Sequence, residues 1–171
     1  MPTTYVASVV AGLGELAAER GDSRSATRLL QTAAEMARSV GDPWATARAL
    51  LGSVPLLRAS EPAGADDLLR EALALHLGSG ARLGVAEALE VAAWVAADAG
   101  DPRRVAKLLA TADGLRDALG AVRPPWVLQR CEQAARAARD RLGGAGYAAA
   151  AAEGDAEGWE QVARTVVDPT R

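Results

Sequence analysis

Few residues of this chain have the type and spacing that chemistry at a site requires. His76 is the only histidine and Cys131 the only cysteine. A metal site needs several ligands and a nucleophile needs a neighbouring base, and neither residue has such a partner in the sequence. We therefore predict no metal site and no catalytic residue. His76 is expected to be an ordinary surface or half-buried residue, and Cys131 a small buried hydrophobe.

Two pairs of acidic residues could be imagined as a general acid and base. Asp66 and Asp67 are adjacent, and Glu87 and Glu90, three residues apart, share one face of a helix. Nothing in the sequence raises a carboxylate pKa or supplies a nucleophile. We interpret both pairs as solvated surface and predict that the chain is not an enzyme.

A glycine motif near the start of the chain imitates a dinucleotide fingerprint. The segment 12–17 fits G-x-G-x-x-A, and the residues from Tyr5 to Val10 could pass for the preceding strand. The fingerprint also needs a second strand that ends in an acidic residue about 20 positions later. A helical pattern follows instead, so we interpret the glycines as sites of close helix packing and predict no cofactor.

Composition excludes further classes of function. The net charge is −3 and the pI about 5.3, and no basic run exceeds Arg103-Arg104, so direct nucleic acid binding is not expected. No stretch has the length of uncharged apolar sequence that a membrane span needs, and the apolar residues 5–16 lack a preceding basic region. A soluble, cytoplasmic protein is the prediction. Ala, Leu and Arg dominate, which favours helix.

Internal repetition determines how these residues are positioned. Three segments share one apolar pattern, and their first positions are Ala26, Ala65 and Val105, which are 39 and 40 residues apart. The spacing of 3, 1, 3 and 3 residues within each segment places the apolar positions on one helical face. The residues twelve positions earlier, Gly14, Ser53 and Ala93, are all small, as a close helix crossing requires.

Turn signals separate the helices. Gly21-Asp22, Gly41-Asp42 and Gly100-Asp101 combine a glycine that can end one helix with an acid that can cap the next. Each unit therefore reads as helix, tight turn, helix. The predicted helices cover about 4–20, 23–40, 43–59, 64–77, 82–99, 102–119 and 125–142, with short ones near 145–152 and 156–167.

The repeat resembles the tetratricopeptide motif. Leu13-Gly14, Gly21-Asp22, Ala26, Leu30 and Ala33 match that consensus, and the long period and the C-terminal run are similar to the repeat region of large ATP-binding bacterial regulators of the LuxR type. The run comprises residues 99–109, 113–120, the break at 123–125, and residues 141–143, 146–154 and 159–163. The resemblance implies an all-α, right-handed superhelix of antiparallel hairpins. It also implies a fragment or relative of a transcriptional regulator, whose ATPase and DNA-binding parts lie elsewhere.

The same resemblance implies a binding groove lined by the first helix of each hairpin. Carrying the repeat register along the chain places an acidic surface there, with Trp94 as an aromatic anchor. The alternative is that Trp94 only packs between hairpins. The predicted groove residues are Glu15, Glu19, Arg58, Glu87, Glu90, Trp94 and Asp98.

The sequence predicts two domains and leaves two alternative functions. Residues 1–142 are predicted to form about three and a half hairpins, and residues 143–171, after the glycine-rich stretch 143–146, a helical cap and tail. The first function is a non-catalytic sensor or interaction domain that binds a protein, a peptide or a small effector. The alternative is a scaffold that forms homodimers through the apolar residues Tyr5, Val6, Val9 and Val10.

Overall fold

The structure, a computed structural model, describes residues 3–168 and is helical almost throughout. No strand occurs in that range, so the all-α prediction is confirmed. The tail at 169–171, predicted to follow the cap, lies outside the described residues. The helices are α1 (Thr3–Glu19), α2 (Ser23–Ser39), α3 (Pro43–Leu57), α4 (Pro62–Gly78), α5 (Arg82–Asp98), α6 (Pro102–Leu119), α7 (Pro125–Glu157) and α8 (Trp159–Val167).

The turns between helices follow the glycine–aspartate rule of the sequence. Gly21 adopts a φ of 79°, and its neighbour Asp22 caps α2 by accepting a 3.0 Å bond from the Ser25 N–H. Asp42 and Asp101 cap α3 and α6 in the same way. From α1 to α6 the predicted helix ends agree with the observed ones to within about two residues because these caps are local signals. The last two predicted helices differ more, since the one predicted to end near 152 continues to Glu157 and the one predicted to begin near 156 begins at Trp159. The turn between α3 and α4 departs from the glycine–aspartate rule, since Glu61 precedes α4 without a side-chain cap bond.

The chain divides into two compact units, Met1–Gly84 and Val85–Arg171. This division falls at a different place from the predicted boundary between 142 and 143, which stays a prediction. In the first unit α1 packs against α2 and α3, α2 against α3, and α3 against α4. The tight turns and these contacts make α1–α2 and α3–α4 helical hairpins.

Leu30 of α2 explains why small residues recur in the first unit. Its side chain is fully buried. A Cβ atom on Gly14 of α1 would lie 2.8 Å from Leu30 Cγ, and one on Gly52 of α3 would lie 2.8 Å from Leu30 Cδ2. One leucine thus inserts against glycines of two helices, which brings the three helices close together.

The glycine motif at 12–17 belongs to this packing. It lies inside α1, and the residues before it, which could have passed for a strand, are the first turns of the same helix. Gly14 faces Leu30, so its role is close helix contact. The helix-packing interpretation of the motif is confirmed.

In the second unit α6 packs against α7, and α8 packs against both. α7 is interrupted at Gly143, where φ is 71° and ψ is 164°, a left-handed conformation that favours glycine. This break lies where the sequence predicted a joint. The segment after it returns to α6, because a Cβ atom on Gly154 would lie only 2.7 Å from the Lys107 carbonyl oxygen. Lys107 and Arg103 of α6 pair with Glu157 and Glu153 of α7.

None of the described helices combines the length and hydropathy required to span a membrane.

His76 differs from its prediction. It was expected at the surface or half-buried, but it is fully buried, and neither ring nitrogen has a hydrogen-bond partner among the described residues. The space for its ring exists because residue 84 is glycine: a Cβ atom there would lie 2.2 Å from His76 Nδ1. Burial lowers the pKa of His76 from 6.5 to about 4, so the imidazole stays neutral in the folded chain.

Protonation of His76 should therefore destabilise the fold. The folded pKa of about 4 lies below the unfolded value of 6.5, so the contribution is complete above pH 6.5 and is lost as the pH falls toward 4. Between about pH 7.5 and 4.5 we expect the free energy of unfolding to fall by about 2–3 kcal/mol more than in His76→Leu. Urea denaturation of both proteins measures this, and equal decreases would contradict it.

Candidate functional site

A buried carboxylate organises the second unit. Glu90 of α5 is 1% exposed. Its Oε1 accepts bonds from Arg116 Nε of α6 at 2.5 Å and from Arg123 Nε at 2.8 Å, and its Oε2 accepts from Arg116 Nη2 at 3.0 Å. The prediction that Glu90 is solvated, or lines an open groove, is wrong. Its charge is tolerated inside because two guanidinium groups compensate it.

Arg123 connects this network to the surface. It lies between α6 and α7 and is 14% exposed, and its Nη2 lies 2.6 Å from Asp113 Oδ1 of α6. Burial alone would lower the pKa of Arg123, but Glu90 and Asp113 raise it above its ordinary value. Arg123 therefore stays charged and fixes the α6–α7 connection to both helices.

Trp94 is also buried, with 5% of its side chain exposed. Its ring centroid lies 6.1 Å from that of Trp126 at a 53° interplanar angle, and the Arg130 guanidinium lies 4.5 Å over the Trp94 ring. Trp94 therefore packs against α7 and does not present an anchor to a groove. The alternative interpretation given for it in the sequence analysis is the one that the structure supports.

The other predicted groove residues occupy both units. Glu15 is held by Arg48 through two bonds, of 3.1 and 2.9 Å, and Arg58 Nη1 lies 2.8 Å from Asp66 Oδ1. Asp66 is thereby an ion-pair partner and is not a free acid. Glu87 is half-buried, and Glu19 and Asp98 are exposed. Glu15, Glu19 and Arg58 lie in the first unit and Glu87 and Asp98 in the second, so a single surface made of them stays a prediction.

A cleft of about 550 Å³ opens between α6 and α7 in the second unit. Its floor is apolar and buried, and is formed by Leu109 of α6 and by Cys131 and Ala135 of α7. Burial raises the pKa of the Cys131 thiol, which the neighbouring Trp94 indole partly opposes, so Cys131 stays a neutral thiol. The prediction that Cys131 is a small buried hydrophobe is confirmed.

Charged and aromatic side chains line the rest of the cleft. Leu128 contributes apolar surface at the rim, and the polar residues are Asp113, Arg123, Glu132, Arg136, Arg139, Asp140 and Tyr147. Polar residues therefore outnumber apolar ones in the lining, and the apolar surface is confined to the floor and to Leu128. The described residues contain no group of three or more His, Cys, Asp or Glu side chains placed to hold a metal ion.

Arg139 and Tyr147 form one end of the cleft. The Arg139 guanidinium lies 4.2 Å from the centroid of the Tyr147 ring, across the helix break at Gly143. Burial raises the pKa of the Tyr147 hydroxyl, although Arg139 acts in the opposite direction, so the phenol stays protonated. This pair contributes N–H and O–H donors to the lining of the cleft.

The sequence analysis did not identify Arg139 and Tyr147 as site residues, and the reason is geometric. Arg139 and Tyr147 are eight residues apart, a spacing that does place residues on one face of a straight helix, but the glycines between them predicted a joint. Only the conformation of Gly143 brings the two side chains together. The positive charges on one face of α7 were the sequence feature that could have indicated this site.

Replacing Glu90 with glutamine should destabilise the second unit. Glu90→Gln leaves Arg116 and Arg123 beside a neutral group in a buried site, and we expect a loss of about 3–5 kcal/mol in the free energy of unfolding. The matched control is Glu153→Gln, because Glu153 and its partner Arg103 are 52% and 56% exposed. That variant should change stability by less than about 1 kcal/mol. Similar effects in the two variants would argue against the network.

Comparison with known proteins yields no match for this chain. No protein-family model matches it. Neither the curated proteins nor the solved structures contain a match. The residues and geometry described above are therefore what supports a functional proposal.

Proposed function

We propose that this chain is a non-catalytic binding and sensor domain whose recognition site is the cleft between α6 and α7. The observation that carries the proposal is the buried apolar floor of Leu109, Cys131 and Ala135, which opens to solvent between charged residues. An exposed apolar concavity is stabilised when a ligand or a partner side chain covers it. A small effector or a short segment of a partner protein would fit this opening.

The repeat pattern supports a place for this domain among tetratricopeptide-like proteins. The apolar positions that repeat along the chain are all buried in α6, whereas in α2 and α4 three of the five are buried and the other two are half-buried. The helices of the first unit contact each other as neighbouring hairpins do. We propose a right-handed stack of such hairpins, acting in the cytoplasm as the sensor part of a LuxR-type regulator. The proposed domain does not contact nucleic acid itself.

The chemistry of the two reactive residue types supports binding over catalysis. His76 has both nitrogens enclosed and a lowered pKa, and the Cys131 thiol has a raised pKa. A general base must reach a substrate proton, and a nucleophilic cysteine must ionise near neutral pH. His76 lies in the first unit and Cys131 in the second. Neither residue has the environment that an acid, base or nucleophile needs.

Obstructing the cleft should abolish binding. Glu132 is exposed at the cleft, and the neighbouring Gln133 is exposed on α7 outside it. We expect Glu132→Trp to remove the amide shifts that a bound fragment causes at Leu109, Ala135 and Tyr147 in two-dimensional NMR spectra, while Gln133→Trp preserves them. The spectra are recorded against a library of anionic, cationic and neutral fragments. Shifts clustered instead at Glu15, Glu87 and Asp98 would favour the acidic groove, and no clustered shifts would contradict a binding role.

A second candidate function is self-association through α1. Tyr5, Val9, Leu13 and Leu16 form one stripe of this helix and are 68%, 62%, 50% and 39% exposed. A shift of 39 residues relates Val9 and Leu13 to Arg48 and Gly52 of α3. These two α3 positions contact the α1–α2 hairpin. A second copy of the chain would cover the corresponding face of α1.

Charge placed on this stripe should prevent association. If the stripe forms a homodimer, the natural chain sediments as a dimer at high concentration, and Val9→Glu sediments as a monomer because a carboxylate would be desolvated in the interface. Gln31→Glu on the exposed surface of α2 adds the same charge and should leave the dimer intact. A natural chain that stays monomeric at every concentration excludes this function.

A further inference from the structure

We infer that the α6–α7 cleft binds a small amphipathic monocarboxylate, with its carboxylate at Arg139 and Tyr147 and its apolar chain on the cleft floor. This inference rests on the proposed function and adds the chemical class of the ligand.

The unused donors of Arg139 and Tyr147 indicate the charged group of the ligand. Stacking occupies the face of the Arg139 guanidinium. In the part of the chain that the structure describes, neither its N–H groups nor the Tyr147 hydroxyl has a hydrogen-bond or ion-pair partner. A carboxylate has two acceptor oxygens and can accept from an N–H and an O–H at the same time.

The other two arginines of the cleft each have acidic neighbours, either in contact or one helical turn away. Asp113 is occupied by Arg123, which Glu90 also neutralises. Glu132 and Asp140 lie one helical turn to either side of Arg136 on α7, so the charges of this ridge alternate. A second ridge of α7, whose positions each precede those of the first ridge by one residue, contains Cys131, Ala135 and Arg139. Arg139 is the cation on this ridge, and among the residues that the structure describes no carboxylate forms an ion pair with it.

The apolar floor indicates the chemistry of the rest of the ligand. Leu109, Cys131 and Ala135 are buried and offer no charged group, and Leu128 extends the apolar surface at the rim. A volume of about 550 Å³ lies within the range of small-molecule sites. A ligand with an alkyl or aryl chain attached to its carboxylate would cover apolar surface and satisfy both donors.

Four probes with matched heads and tails test this class. The full chain is titrated with octanoate, octanamide, octylammonium and acetate, and binding is followed by the amide shifts of Leu109, Ala135 and Tyr147. We expect octanoate to bind about tenfold more tightly than octanamide, which lacks the charge, and than acetate, which lacks the tail. Arg139→Gln should weaken octanoate binding to the level of octanamide, and Tyr147→Phe should weaken it severalfold.

The control variant is Arg104→Gln, at an exposed position of α6 outside the cleft lining, which should bind octanoate as the natural chain does. An equal loss in Arg104→Gln and Arg139→Gln would overturn the assignment of the carboxylate. Octanamide or octylammonium that shifts the same amides as tightly as octanoate would refute the carboxylate class and leave the cleft as a binding site. Failure of all four probes, together with no clustered shifts from the fragment library, would refute the inference and the proposed function.

Discussion

The cleft between α6 and α7 depends on one buried carboxylate. Glu90 accepts bonds from arginines that belong to α6 and to the α6–α7 connection. Arg116 alone would neutralise it, and Arg123 adds a second cation that Asp113 then balances at the surface. Because a buried charge must keep its partners, the connection cannot move away from α5 and α6 without a large energetic cost. The start of α7 is thereby fixed at the position that leaves the cleft open.

The other end of the cleft is fixed by backbone conformation. At Gly143 the chain leaves the helical region, and the segment that follows returns to α6, where Gly154 allows contact with the Lys107 carbonyl oxygen. A side chain at either glycine would oppose this path, through its φ preference at 143 and through steric overlap at 154. The break places Tyr147 on Arg139. An ion network at one end and two glycines at the other thus determine the width of the cleft.

The sequence predicted local features well and tertiary features poorly. Helix ends followed from caps such as Asp22 and Asp101, which act within four residues, and the buried faces followed from apolar periodicity. The burial of Glu90 could not be predicted, since its partners lie 26 and 33 residues away and an exposed glutamate has the same pattern. His76 is a similar case, because the space for its ring depends on Gly84 in the next helix. The predicted acidic groove wrongly included the buried residues Glu90 and Trp94 for the same reason. Helical register identifies the face on which a residue lies, but it does not identify what covers that face.

The arginines of this chain separate structural charge from charge that is available for binding. In the first unit Arg48, Arg58 and Arg38 each contact a carboxylate of another segment. In the second unit Arg116 and Arg123 share Glu90. Arg139, like Arg130 over Trp94, rests its planar group on an aromatic ring, which orients the guanidinium without neutralising it, but Arg139 does so in the lining of the cleft. An oriented charge beside a buried apolar floor provides the two features that recognition of an amphipathic anion requires. The fold itself uses neither feature at this place.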